Sequence, residues 1–147
     1  MPKFNFRLQG YLGLKEKMED QRKLEYGQAV SELERARAEL LRLEGQRSDT
    51  LISFKEDISK GIKPQLAGFY NGYLKWMEKA IENQIENVKA AEAEAERRRV
   101  LLTEAMKERK MLETLKDKHY EGFVREQNLA EQKIVDEIVS FRHKDRG

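Results

Sequence analysis

Cysteine is absent from the 147 residues, which excludes disulfides, thiolate metal sites and a cysteine nucleophile. Histidine occurs twice, at His119 and His143, too far apart in sequence to share a metal on one helical turn. Charge of one sign is also missing. Against 29 basic residues stand 27 acidic ones, a net +2, whereas a nucleic-acid binder carries a basic surplus. Long apolar runs are lacking too. The longest uncharged stretch, Pro64 to Leu74, is about half of the ~20 residues a membrane span needs. The opening Met1-Pro2-Lys3-Phe4-Asn5-Phe6-Arg7 lacks the apolar run of a signal peptide. These shortages predict a soluble, cytoplasmic protein with no direct membrane span, no nucleic-acid partner, no cofactor and no metal.

What the chain has in quantity is charge, 38% of all residues, with apolar residues recurring at helical spacing between the charges. Disorder would show no such order, and the pattern points to long helices. Proline is scarce, and Pro64 is the only internal one. It closes Lys60-Gly61-Ile62-Lys63-Pro64, where a glycine just past one helix and a proline just inside the next form the usual boundary. The spacing therefore predicts one domain over 1–147, with a helix over about 5–59, a turn over about 60–64 and a longer helix over about 65–143.

The first helix carries a 4-3 repeat at Ala29, Leu33, Ala36, Leu40, Leu43, Arg47, Thr50 and Phe54. Upstream the stripe is expected to pass through Leu8, Leu12 (or Tyr11), Met18 and Tyr26, with a phase slip after Met18. The second repeats from Leu74 through Met77, Ile81, Gln84, Val88 and Ala91 to Lys116, His119 and Phe123. After a second slip it continues at Ala130, Ile134, Ile138 and Phe141. One narrow stripe per helix means one neighbour each, and a short connection makes them antiparallel. The expected fold is all-α, a two-helix coiled-coil hairpin whose second helix overhangs. At ~1.5 Å per residue the helices would measure on the order of 80 Å and 115 Å. Arg47, Gln84, Arg98, Arg109 and Lys116 interrupt the seam, and snorkelling of their stems is the expected remedy.

Enzyme chemistry finds no parts. There is no glycine-rich phosphate loop and no His-Glu-x-x-His motif, and a single hairpin is not expected to form a cleft of ~300 Å³ or more. Arg97-Arg98-Arg99 is flanked by acids and reads as a solvated stretch. The unusual segment is Leu66 to Met77, which holds the only Trp, three other aromatics and almost no charge. At ~100° per residue Tyr70, Leu74 and Met77 cluster on the seam side and Tyr73 lies at its edge, while Phe69, Trp76 and Ala80 fall roughly 80–100° round from Met77. Two readings stand. The aromatics cap the hairpin tip over Phe54 and Ile58, or they form an exposed partner site, since Tyr, Trp and Met are enriched among interface anchors.

Several segments, in order, resemble the FliJ family of the bacterial flagellar type III export apparatus. They are Phe4-Asn5-Phe6-Arg7-Leu8-Gln9, Tyr11-Leu12-Gly13-Leu14-Lys15-Glu16, the mid-chain Tyr70-Asn71-Gly72-Tyr73-Leu74-Lys75-Trp76-Met77-Glu78-Lys79-Ala80-Ile81-Glu82, and Ala130-Glu131-Gln132-Lys133-Ile134-Val135-Asp136-Glu137-Ile138. The resemblance implies a non-enzymatic stalk, peripheral to the inner membrane at the flagellar base. Its implied partners are the hexameric flagellar export ATPase, the cytoplasmic domain of the export gate protein, and export chaperones.

The family's gate-binding surface matches Leu43, Tyr73, Met77 and Ala80. A hairpin turning near residue 62 sets Leu43 opposite Ala80 and Thr50 opposite Tyr73, so Thr50, Phe69 and Trp76 join the same candidate surface. The resemblance also implies that the terminal end enters the ATPase ring, where Lys3, Arg7, Lys15, Arg142, Lys144 and Arg146 would supply positive charge. Two alternatives remain: the stalk of a non-flagellar type III secretion system, and a structural coiled coil that self-associates through its overhang.

Overall fold

In the computed structural model, which describes residues 2–145, charged and apolar residues at 4-3 spacing fold into two antiparallel helices and no strand among the described residues. Helix α1 spans Gln9–Lys60 and α2 spans Pro64–Asp145. Gly61 ends α1 with φ at 83°, a left-handed conformation that glycine adopts without a Cβ penalty, and its N–H donates to the Ile58 carbonyl at 3.1 Å. Pro64 opens α2 at the position where its missing N–H costs nothing. The Lys63 carbonyl accepts from Leu66 and Ala67 at 3.0 and 3.2 Å. The tip is thus set by one glycine and one proline.

The first helix starts at Gln9 rather than near residue 5. Phe4 and Phe6 both reach α2. The Phe6 ring meets His119 edge-on at 5.6 Å, and Phe4 lies 5.3 Å from Tyr120 and 5.6 Å from Phe123. Two residues apart, they would point about 200° apart on a helix, whereas a non-helical segment lets alternate side chains share a side. Phe6 is buried, so the helix begins only after this strap.

Two compact units form, one from Gln21–Leu102 and the other from the described residues of Met1–Asp20 and Thr103–Gly147. In Gln21–Leu102 the core is Ala29, Leu43, Met77, Val88 and Ala95. Tyr70 lies tilted against Phe54, 4.7 Å between ring centroids, and donates its hydroxyl to Asp57 at 2.5 Å, while Gln84 donates to the Ala36 carbonyl at 2.9 Å. In the other unit the core is Phe6, Leu12 and Ala105, joined by one buried charge, Glu19.

The α1 stripe does not slip. Half-buried or buried residues follow at 4-3 spacing through Leu12, Lys15, Glu19, Arg22, Tyr26 and Ala29. Leu8 and Met18, the apolar candidates for this stretch, are exposed. The repeat is kept by charged residues, which conceal it from a search for apolar ones. Each has a partner. Arg109 donates to Glu19 through Nε and Nη2 and to Glu113 through Nη1, Lys15 lies 2.8 Å from Glu108, and Arg22 pairs with Glu25. Arg98 bridges Glu94 and the same Glu25. Arg98 and Arg109 are therefore held in cross-helix ion pairs instead of snorkelling to solvent, and Arg47 reaches Glu78 at 3.4 Å.

Candidate partner-binding surface

Near the tip, helical geometry divides the aromatic segment into two sets. Tyr70 turns inward onto Phe54. Phe69, Tyr73 and Trp76 turn outward, 76%, 42% and 62% exposed. Tyr73 and Trp76 stack on each other, 6.0 Å between centroids at 24°. On the seam side Met77 is wholly buried and Leu43 nearly so. Thr50 and Ala80 are half-buried, and the Thr50 hydroxyl donates to the Gln46 carbonyl at 2.8 Å. The structure thus gathers the seven candidates in one unit but gives them different positions. Phe69, Tyr73 and Trp76 offer surface, whereas Leu43 and Met77 lie in the seam. Ile58, expected beneath the aromatics, is exposed.

Phe69 and Tyr73 rise from α2 opposite the short side chains Asp49, Thr50 and Ser53 on α1. With Leu66 and Tyr70 they line an open groove of about 410 Å³. The expectation that a single hairpin lacks a cleft of that size is corrected, since tall rings beside short polar residues make a trough without a third element. Leu66, Asp49 and Ser53 do not stand out as site residues in the sequence. The antiparallel register about Gly61 is the signal that places residues 49–53 opposite 69–73. Asp49 is the sole carboxylate lining the groove. Hydrogen bonding to Asp57 and partial burial raise the Tyr70 hydroxyl above its ordinary pKa, so it acts there as a donor.

The terminal cations are differently disposed. Lys15 is occupied. It pairs with Glu108, and its ammonium stands 5.1 Å over the Tyr11 ring. The hydrogen bond to Glu108 raises its pKa above the ordinary lysine value. Lys3, Arg7, Arg142 and Lys144 are exposed. Arg7 follows Phe6, which packs on His119. Arg142 lies 23 residues farther along α2, on the order of 35 Å at helical rise. The structure does not bring these cations into one patch, and Arg146 lies outside the described residues. The Arg97-Arg98-Arg99 run is engaged locally, its guanidinium groups bonded to Glu94 and Glu96.

Among the described residues no helix is long and apolar enough to cross a membrane, and no group of three or more His, Asp or Glu is placed to hold a metal ion.

The sequence model of the family described as "Flagellar FliJ protein" matches residues 4–147. The flagellar FliJ protein of Bacillus subtilis (strain 168) is 30% identical over 136 residues, 92% of each chain. A solved structure from Chlamydia trachomatis, of a protein described as a putative YscO homolog, aligns with a TM-score of 0.70 at 22% identity. The alignment covers 97% of this chain and 96% of that one, and it establishes a shared fold. With a family match over nearly its whole length and a relative of that identity, the chain belongs to the flagellar FliJ family.

Proposed function

We propose that this protein is a non-enzymatic stalk of the flagellar type III export apparatus. In this reading it links and stimulates the hexameric export ATPase, and it engages the cytoplasmic domain of the export gate protein and the export chaperones, peripheral to the inner membrane. Family membership supports the setting. The observation that carries the reading is the outward aromatic set Phe69, Tyr73 and Trp76, exposed beside a seam in which Leu43 and Met77 are buried. Large aromatics that remain exposed on a folded helix pair are the residues on which interfaces concentrate their binding energy. Thr50 and Ala80 border the same face, so the gate contacts both helices near the tip.

The terminal end serves the ATPase. Exposed Arg7, Arg142 and Lys144 favour acidic surfaces, an attraction that weakens with salt. Lys15, already paired with Glu108, contributes less.

The test is binding of the gate's cytoplasmic domain by the double variant Trp76→Ala, Tyr73→Ala. Loss of hot-spot rings costs about 2 kcal/mol or more, roughly 30-fold in affinity, with helicity retained. If binding falls only in proportion to helicity, the rings belong to the fold and the reading is wrong. Arg7→Glu with Arg142→Glu should lower ATPase stimulation at low salt while leaving gate binding unchanged.

A further inference from the structure

The last ring contacts along α2 are those of Tyr120 and Phe123 with Phe4 of the N-terminal strap. From Asn128 to Asp145 every described residue is exposed, yet the segment stays helical and keeps an apolar stripe. Ala130, Ile134, Ile138 and Phe141 follow Phe123 on the same side of the helix, and Ile134, Ile138 and Phe141 are 57%, 51% and 68% exposed. This is the hairpin seam continued past its partner. A face with seam spacing is suited to another helix, and the charges on its flanks say which one.

At about 100° per residue Glu131 and Arg142 lie on one flank of the stripe, and Glu126, Lys133, Glu137 and Lys144 lie on the other. When two copies of the segment run antiparallel with Ile134 facing Ile138, the large Phe141 falls opposite the small Ala130. The same register sets Glu131 opposite Arg142 on the first flank, and Glu137 opposite Lys133 and Glu126 opposite Lys144 on the second. All three matches are of opposite sign, and two-fold symmetry repeats each of them. A parallel pair would instead bring Glu126 beside Glu131, a repulsion, and Glu137 beside Arg142, an attraction, so its flanks gain nothing on balance. Among the described residues none of these six charges has an ion-pair partner within the chain. Antiparallel packing also opposes the helix dipoles favourably, and a two-fold dimer is the commonest closed assembly.

We propose that residues 126–144 of α2 form an antiparallel two-fold interface with the same segment of a second copy of this chain. The dimer is tail-to-tail and leaves the aromatic tip of each copy free; because it occupies Arg142 and Lys144, it competes with their use on the ATPase.

Sedimentation equilibrium of the purified full-length chain over a concentration series tests this. The mass should rise from 17.3 kDa toward twice that value. Glu131→Arg and Arg142→Glu each replace two attractions per dimer by two repulsions, so each should weaken association about tenfold. The double variant Glu131→Arg, Arg142→Glu should restore it, and circular dichroism checks that each variant stays helical. Because the chain has no native cysteine, Ala130→Cys reports orientation. In the antiparallel pair the two introduced thiols lie on the order of 16 Å apart and do not cross-link, whereas in a parallel pair they adjoin and do. A monomer at all concentrations, a double variant as weak as the singles, or cross-linking of the Ala130→Cys variant would each overturn the proposal.

Discussion

Trp76 and Met77 are adjacent in sequence, both large and opposite in fate, which permits a sharp experiment. Met77 is wholly buried on the α2 stripe, whereas Trp76 is 62% exposed and rests on Tyr73. Truncating Met77 to Ala removes a buried side chain and leaves a cavity between helices that have little other core. Such changes cost about 2–5 kcal/mol. For a chain of this length that is a fall in Tm on the order of 6–15 °C. Truncating Trp76 removes more atoms but mostly from water, and exposed substitutions usually stay within about 0.5 kcal/mol. Thermal melts followed by helical circular dichroism would show Met77→Ala melting well below the wild type and Trp76→Ala nearly with it. Equal losses, or a larger loss at Trp76, would refute the division of this segment into a support and a surface.

Two further outcomes follow from the same geometry. Gly45 lies exposed inside α1, and a Cβ built there meets nothing within 4 Å. Gly45→Ala should therefore raise stability by about 1 kcal/mol, read as a higher Tm. Glu25 is held below the ordinary carboxylate value of 4.5 by hydrogen bonding from Arg22 and Gln21 and the charge of Arg98, and Glu94 by Arg97 and Arg98. A carboxylate with a depressed folded value stabilises fully above its unfolded value, and that stabilisation is lost as pH falls through the folded one. Melting temperature should thus decline in buffers below 4.5. Glu25→Gln with Glu94→Gln should flatten that decline, and an unchanged acid limb would count against these pairs as contributors.

Much of the fold is legible because a hairpin coiled coil writes itself in two signals, the 4-3 stripe and the break at Gly61 and Pro64. The stripe on α2 from Leu74 to Phe123 can be read almost position by position. Less legible is the stretch of α1 where Lys15, Glu19 and Arg22 keep the repeat. A charged residue reads as surface until its partner is known, and Glu108 and Arg109, which hold Lys15 and Glu19, lie far along the chain on the other helix. The strap of Phe4 and Phe6 escapes a helical pattern carried back through residues whose alternation belongs to a non-helical segment. At the tip, sequence spacing locates the aromatic cluster but leaves open which rings are core. Helical spacing sets Tyr70 on the seam side, and the cross-helix contact with Phe54 decides that this ring packs while Phe69, Tyr73 and Trp76 stay outside.

The buried Glu19–Arg109 pair bears on how the chain finds its alignment. Apolar seams are nearly degenerate, since a hairpin slid by one heptad still sets leucine and alanine against leucine and alanine. That slide would carry Arg109 away from Glu19 to face Leu12 or Tyr26, and it would strip the buried Glu19 of both hydrogen bonds that Arg109 donates to it. An enclosed charge that loses its partner is among the costliest errors a fold can make. A pair that adds little net cohesion when correctly matched therefore penalises the slid alignments heavily, and it selects the matched one.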